Sequence, residues 1–252
     1  MLKSKKLSKL KKISHAFFGK TGGASRGIYK SLNCGIGSAD KKIYILKNLS
    51  IVKKKISHNS KKIILTHQIH SDKFNFIDKE YKIKKPLIGD ALITNQKKTP
   101  IAVLTADCAP ILLYDTKNNI IAAIHAGWKG AYKGIIKKVV KFFLKKNSAP
   151  KNIIASIGPC ISVKNYEIKM DFKKKFLKKD KKNRLFFKKR KNKIYFNLSK
   201  YIKSELKKLK INNIEEIHKD TFNIKNNFFS ARRSIGRNEN DYGRNISVIM
   251  IN

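Results

Sequence analysis

A mixed α/β fold (α+β in its segregation), arranged as one layered domain, is predicted by three features of the sequence. Short runs rich in β-branched residues are interspersed with longer segments of helical periodicity. Hydrophobic residues make up 41% of 252 residues, enough for one core of ordinary size. No Pro/Gly/Ser-rich linker divides the chain, so a single catalytic domain is expected over residues 13–252. Residues 1–12 read as a basic leader that is expected to fray or be disordered.

The elements follow in order. His15 opens an apolar piece that runs into a Gly-rich loop through Lys20, Gly22 and Gly23; such loops are weak evidence for phosphate, and a plain turn is the simpler reading. Asp40–Lys55 predicts a helix from Ile43, Leu46, Leu49 and Val52. Lys61–Leu65, Asp90–Thr94, Ile101–Thr105, Ile111–Tyr114 and Ile120–Ile124 predict strands, the third buried on both faces. Gly127–Lys146 predicts an amphipathic helix with Ile135, Val139, Phe142 and Phe143 on one face. Ile153–Ile157 is a strand, Asp171–Lys193 a charged helix plus solvated loop, Leu198–Leu209 a helix and Asn245–Ile251 a closing strand.

The net charge of +43 suggests polyanion contact, but the lysines are spread along nearly the whole chain, as a coding drift toward Lys, Ile and Asn would leave them. Non-specific, salt-sensitive nucleic-acid contact is the expected consequence. Only seven arginines occur, and Arg232, Arg233, Arg237 and Arg244 lie close together. Where Lys serves almost everywhere, a retained Arg marks a need for a planar donor fork, toward phosphate, carboxylate or a structural ion pair. No apolar run reaches membrane-spanning length, and the basic N-terminus lacks the apolar stretch of a secretory signal. A cytoplasmic protein without membrane association is the default.

Three widely spaced cysteines, Cys34, Cys108 and Cys160, argue against a disulfide framework. Cys108 and His125 flank a predicted hairpin whose turn is centred between Thr116 and Lys117, which would set them opposite each other at a separation suited to two ligands of one metal. His70, at the end of another apolar run, joins them if the strand ends converge, and His67 competes with it. Two His and one Cys would leave a fourth metal position open, as in catalytic zinc sites, and the wide spacing is unlike a zinc finger. On spacing alone a buried core Cys and a hydrogen-bonded His are the simpler reading.

Ten blocks occur in a characteristic order: Lys20-Thr-Gly-Gly-Ala-Ser25, Ser31-Leu-Asn33, Gln68-Ile-His70, Asp90-Ala-Leu-Ile-Thr94, Thr105-Ala-Asp-Cys-Ala-Pro110, His125-Ala-Gly-Trp-Lys-Gly130, Gly158-Pro-Cys-Ile161, Tyr166-Glu167, Phe228-Phe-Ser230 with Arg232-Arg233, and Gly243-Arg244. Together they resemble the multicopper polyphenol oxidase, or laccase-domain, family, also described as purine nucleoside phosphorylases. The resemblance runs from about His15 to the C-terminus. It implies a fold shared with cytotoxic-necrotising-factor-like hydrolases, and zinc held by His70, Cys108 and His125, so it selects His70 over His67. It implies phosphorolysis of adenosine, inosine, guanosine and methylthioadenosine, together with deamination of adenosine.

On this resemblance Asp107 and Glu167 are the expected proton-transfer carboxyls, and Lys20, Asn33, Arg232, Arg233 and Arg244 the expected substrate and phosphate ligands. The chain departs from the family pattern at Lys20, Ala231 and Tyr242, where Arg, an aromatic and Thr are usual. Zn2+ is the expected cofactor and Cu2+ the alternative, since one three-ligand site is unlike a multicopper centre. Purine nucleosides and phosphate are the expected partners. Three other readings stay open: a metal-free hydrolase with Cys108 as nucleophile and His125 as base, a copper-dependent phenol oxidase, and a basic RNA-binding protein without activity.

Overall fold

The computed structural model describes residues 1–81 and 86–252. Its chain order is α1 (Lys5–Ser8), β1 (Ile13–Phe17), α2 (Lys42–Ile56), β2 (Phe74–Ile77), β3 (Ala91–Thr94), β4 (Ile101–Thr105), β5 (Ala109–Asp115), β6 (Ile120–Ala126), α3 (Trp128–Lys133), α4 (Ile135–Lys145) and β7 (Ile153–Ile157). Then come β8 (Glu167–Ile168), α5 (Met170–Lys179), β9 (Phe187–Arg190), β10 (Lys193–Phe196), α6 (Leu198–Lys208), β11 (Ile214–Glu216), α7 (Ala231–Ile235) and β12 (Asn245–Ile251).

Strand alternation builds the layers. In β5, Ile111 and Leu113 point one way and Leu112 and Tyr114 the other, and all four are buried. The six-stranded mixed sheet β11-β7-β5-β6-β3-β2 is therefore covered on both faces. Ile111, Leu113 and Ile124 pack on Ile135, Val139 and Phe143 of α4 and on Ile202 and Leu206 of α6. Leu112, Tyr114 and Ile121 pack on Ile13, Val103 and Ile249 of a second sheet, β1-β12-β4. The far face of that sheet, with Ala102, Ile246 and Val248, is closed by Val52 of α2. The result is a single mixed α/β domain of four layers, helix, sheet, sheet, helix, as the sequence predicts in kind.

Several local expectations are corrected. Helix α2 buries Ile45, Asn48 and Val52, while Ile43 and Leu46 are exposed. Asn48 is drawn inward because its amide bonds Ala24 N–H, Ser25 Oγ and the carbonyl of Asn33, which pins the Gly-rich loop to the helix. Gly23 sits so close that a Cβ there would lie 2.4 Å from Leu32 Cα, so this glycine answers a packing need. The expected strand at Lys61–Leu65 is reduced to an isolated bridge, Ile64 with Ile101. The helix expected over 127–146 is broken at Gly134, whose φ of 102° only glycine adopts readily. The charged stretch 171–193 contains a hairpin, β9–β10, turned by Lys191 and Asn192, both in the left-handed region.

Residues 1–12 are docked, in contrast to the frayed leader expected. Leu7 is fully buried. The Glu215 carboxylate accepts Ser4 Oγ at 2.6 Å and the backbone N–H groups of Lys5 and Lys6 at 2.9 and 2.8 Å. Ser4 N–H donates to Nε2 of buried His15 at 2.9 Å, a bond that needs the neutral ring. Burial, reinforced by Lys3 and opposed by Glu215, pushes the His15 pKa down to about 4. Because this lies below the unfolded value of about 6.5, the contribution is intact above pH 6.5 and is lost as pH falls toward 4; the gap corresponds to about 3 kcal/mol. Thermal denaturation from pH 7 to pH 4 is expected to show a steeper loss of Tm in the wild type than in His15→Gln. Parallel curves would remove His15 as the cause.

Candidate metal centre

The hairpin register differs from the sequence expectation. Asp115 pairs with Ile120, and Pro110, not Cys108, opposes His125. The Asp115 carboxylate caps the turn by accepting from Lys117 and Asn118 N–H, and Asn119 takes a left-handed φ of 51°, which lengthens the loop. Cys108 precedes β5 and lies beside Gly127, so it and His125 are diagonal neighbours. A slip of two residues preserves the face because strand side chains repeat every two. The convergence therefore survives the wrong register.

His70, Cys108 and His125 place one ligand atom each within 4.8 Å of the others. Cys108 Sγ is 3.8 Å from His70 Nε2; N and S donors at zinc bond lengths in a tetrahedron stand about 3.6 Å apart. The donor set thus fits one ion with small adjustment. Each ligand comes from a different place: His70 from the loop before β2, Cys108 from the β4–β5 turn, and His125 from the end of β6.

Asp90 holds the site together. Fully buried, it accepts His125 Nδ1 at 2.8 Å, His70 N–H at 2.9 Å, and Ser71 N–H and Oγ, each at 2.6 Å. Donation from Nδ1 leaves Nε2 of His125 as the free lone pair, the arrangement that orients ligating histidines. His70 sits at φ 55°, a left-handed conformation held by the bond from its own N–H to Asp90. Sequence reasoning gave Asp90 no role. Its signal was its place at the head of a short strand in a block of its own, which identifies no partner.

Electrostatics couple the ligands. Burial disfavours the Cys108 thiolate, but the adjacent His125 cation outweighs this and pulls the thiol pKa down. Burial likewise disfavours the His125 cation, and Cys108 with Asp90 pushes its pKa up. Without metal each group favours the charged form of the other; with metal both supply lone pairs.

The ligands open on a cleft of about 230 Å³, lined also by Ile36, Gln68, Leu104, Tyr242 and Arg244. The Arg244 guanidinium stacks over Tyr242 at 4.7 Å, donates to its carbonyl at 2.9 Å and reaches Asp241 at 3.4 Å. Asn33 does not face this cleft. Its Oδ1 accepts Gly35 and Arg244 N–H and its Nδ2 donates to Ser38 and Asp40, so it is fully used in holding the Arg244 loop. Arg233 spends its guanidinium on the carbonyls of Thr221, Phe222 and Phe228. Lys20 does not line the cleft and lies near Arg233 and Arg237, whose charges, together with burial, lower its pKa.

The two carboxyls lie on the other side of Cys108. Asp107, at φ 86°, is buried and accepts from Thr221 Oγ1, Ser230 Oγ and Arg232 N–H at 2.6, 2.9 and 2.7 Å. Burial raises its pKa against those bonds. It shares a small cavity with Cys108, Tyr166 and Arg232. Glu167 is turned away, paired with Lys193 at 3.0 Å, while its carbonyl accepts from Arg232.

Gly127 tests the packing of the centre. A Cβ there would lie 2.8 Å from Cys108 Sγ and 3.0 Å from His70 Cδ2. Gly127→Ala is expected to spread the ligands and weaken metal affinity by roughly tenfold or more, since outer contacts that orient ligands carry effects of that order. Competition with a chromophoric chelator measures it. Unchanged affinity would mean that the ligands move freely.

The model of the family described as multi-copper polyphenol oxidoreductase laccase matches residues 14–252. A purine nucleoside phosphorylase of Haemophilus influenzae is 36% identical over 239 residues, 93% of each chain. One of Rickettsia conorii is 34% identical over 214 residues, 81% of this chain and 87% of its own. Among solved structures, the Bacillus licheniformis hypothetical protein YfiH superposes with a TM-score of 0.87 at 25% identity, over 95% of this chain and 93% of its own. A Neisseria meningitidis protein assigned to DUF152 gives 0.85 at 25% identity, over 96% of each chain. Among the described residues no helix is long and apolar enough to cross a membrane.

Proposed function

This chain belongs to the family described as multi-copper polyphenol oxidoreductase laccase, and we propose that it is a zinc-dependent purine nucleoside phosphorylase that also deaminates adenosine. The reading rests on one observation above the others: an open three-ligand cluster, His70–Cys108–His125, whose cleft carries an arginine, Arg244. The relatives named as purine nucleoside phosphorylases supply the reaction. Adenosine, inosine, guanosine and methylthioadenosine are the substrates.

In phosphorolysis a phosphate oxygen bonds to the ribose anomeric carbon, the bond to the purine nitrogen breaks, and the electron pair leaves with the base. Arg244 has five N–H donors; with one on the Tyr242 carbonyl and one directed at Asp241, three stay free for a phosphate dianion. Asn33 acts as a positioning residue, since its amide is fully used, Arg233 gives three of its five donors to carbonyls and so acts mainly in positioning, and Lys20 adds positive charge near it. Arg232 faces the site from the Asp107 side. A bound zinc ion would supply a Lewis acid against negative charge developing in the cleft.

In deamination, water adds at the carbon bearing the amine and ammonia departs. Asp107 is the better-placed proton carrier, because burial raises its pKa and it borders the cavity behind Cys108. Glu167, paired with Lys193, is set aside from this role. The closeness of Cys108 to His125, which lowers the thiol pKa and raises that of the imidazole, favours one competing reading, a metal-free hydrolase with Cys108 as nucleophile.

Elemental analysis of the purified protein, followed by adenosine turnover with and without phosphate, separates these. The expected results are bound zinc, phosphate-dependent release of adenine and phosphate-independent formation of inosine. Full activity of metal-free protein would establish the hydrolase instead. Bound copper with oxygen uptake on a phenol would establish the oxidase.

A further inference from the structure

We propose that the outer face of the small sheet β8-β10-β9, with the basin beside it, binds single-stranded nucleic acid. The inference does not depend on the chemistry of the metal centre. Residues 169–193 contain 14 of the chain's 59 Lys and Arg against only Asp171 and Asp180. More than half of this segment is cationic, compared with about one residue in five elsewhere. A uniform drift toward lysine does not produce such a contrast. It also revises the impression of evenly spread charge.

The segment is a built module. Phe176, Phe186 and Phe196 are buried, Phe172 stacks on Phe176 at 4.8 Å, and Tyr201 of α6 closes the cluster. Nearly all the cations are exposed on this aromatic core. Among the described residues, only Lys193 of the fourteen has a carboxylate partner, Glu167 at 3.0 Å. So much unneutralised charge on a rigid surface raises its potential and attracts a polyanion.

Strand alternation sorts the hairpin. Lys188 pairs with Tyr195 and Arg190 with Lys193, so these four share one face, while Ile194 and Phe196 are buried. The Arg190 guanidinium lies 3.9 Å from the Tyr195 ring centre and is anchored by donation to the Lys164 carbonyl at 2.7 Å. The face is cationic and carries an aromatic ring, with Glu167 beside Tyr195 neutralised by Lys193. It borders a basin of about 840 Å³ lined by Lys164, Tyr195, Arg232 and Arg237; the two carboxylates of the basin are engaged, Glu167 by Lys193 and Asp220 by Ser162 and Asn165. On the other flank of β8, Lys129 and Lys175 stand 5.8 and 5.9 Å from the Trp128 ring. A positive groove interleaved with accessible rings suits single strands, whose phosphates take the cations and whose unpaired bases take the rings. A duplex would leave the rings unused.

The test uses the full chain and a labelled oligouridylate of about 20 nucleotides, followed by anisotropy from about 50 to 300 mM KCl. Wild-type binding is expected to weaken steeply with salt. Lys164→Gln/Lys188→Gln/Lys193→Gln should lower affinity by roughly 100-fold near 0.1 M salt and reduce the log–log salt slope by about 2, at about 0.7 per lost phosphate contact. Lys42→Gln/Lys47→Gln/Lys54→Gln on α2 removes the same charge and should cost less than about tenfold. Tyr195→Ser should weaken binding roughly tenfold with the slope unchanged, the signature of lost stacking. The proposal is overturned by equal losses in the two triple variants, by an unaffected Tyr195→Ser, or by wild-type protein that binds phosphatidylglycerol vesicles but no oligonucleotide.

Discussion

His125→Ala is expected to abolish metal retention and to lower phosphorolysis and deamination together, each by on the order of a thousandfold, the scale seen when a principal electrostatic element of a site is lost. Three ligands leave no reserve: two remaining donors, His70 and Cys108, hold an ion far more weakly. The substitution also removes the cation that stabilises the Cys108 thiolate, so the thiol pKa should rise from its lowered position. Metal content by mass spectrometry and product analysis of adenosine reactions read both effects. Survival of either reaction at the wild-type rate would show that the two activities do not share this centre. Loss of turnover with full retention of metal would show that His125 serves the reaction without being a ligand.

Asp90→Asn is expected to lower metal affinity by about 10- to 100-fold while keeping the fold, the usual cost of removing the partner that orients a ligating histidine. With its oxygen in the Oδ2 position the amide can still accept from Ser71, but its nitrogen then stands at Oδ1, the atom that serves both His70 N–H and His125. The amide nitrogen, however, donates, so it cannot accept the Nδ1 proton of His125 that the carboxylate takes at 2.8 Å. His125 then loses the constraint that points its free lone pair at the cleft. Asp90→Ala should be worse in a different way. It strands the N–H groups of His70 and Ser71, at roughly 1–3 kcal/mol for each buried group left unpaired. Titration with zinc reads the first variant and thermal denaturation the second. Wild-type affinity in Asp90→Asn would reduce Asp90 to a loop anchor.

The candidate centre was more legible than its geometry. Cys108 and His125 were paired from the hairpin alone, with a turn placed too early. The error was harmless because a two-residue slip returns every side chain to the same face, whereas a one-residue slip would have separated the ligands. His70 could not be preferred to His67 from spacing, because it is reached through a loop and a left-handed backbone held by Asp90. In the sequence the arginine cluster is one feature. The fold divides it: Arg244 enters the cleft of the candidate centre, Arg232 approaches from the other side, and Arg233 turns most of its donors to carbonyls. No sequence pattern records which guanidinium keeps its donors.

By itself the sequence determined the mixed α/β class, most of the buried strands and the nearness of Cys108 to His125, because these follow from local periodicity and from residue chemistry. Ile101–Thr105, Ile153–Ile157 and Asn245–Ile251 are strands with the predicted bounds, since a run of buried β-branched residues bounded by turns has few other solutions. Only the tertiary structure decided that residues 1–12 are docked through Glu215 and His15, that Asp90 joins His70 and His125, and that fourteen cations gather on one aromatic module. Those facts depend on contacts between residues far apart in the chain, such as Ser4 with Glu215. Whether a buried donor meets its acceptor is settled by where the layers bring them, not by their spacing along the backbone.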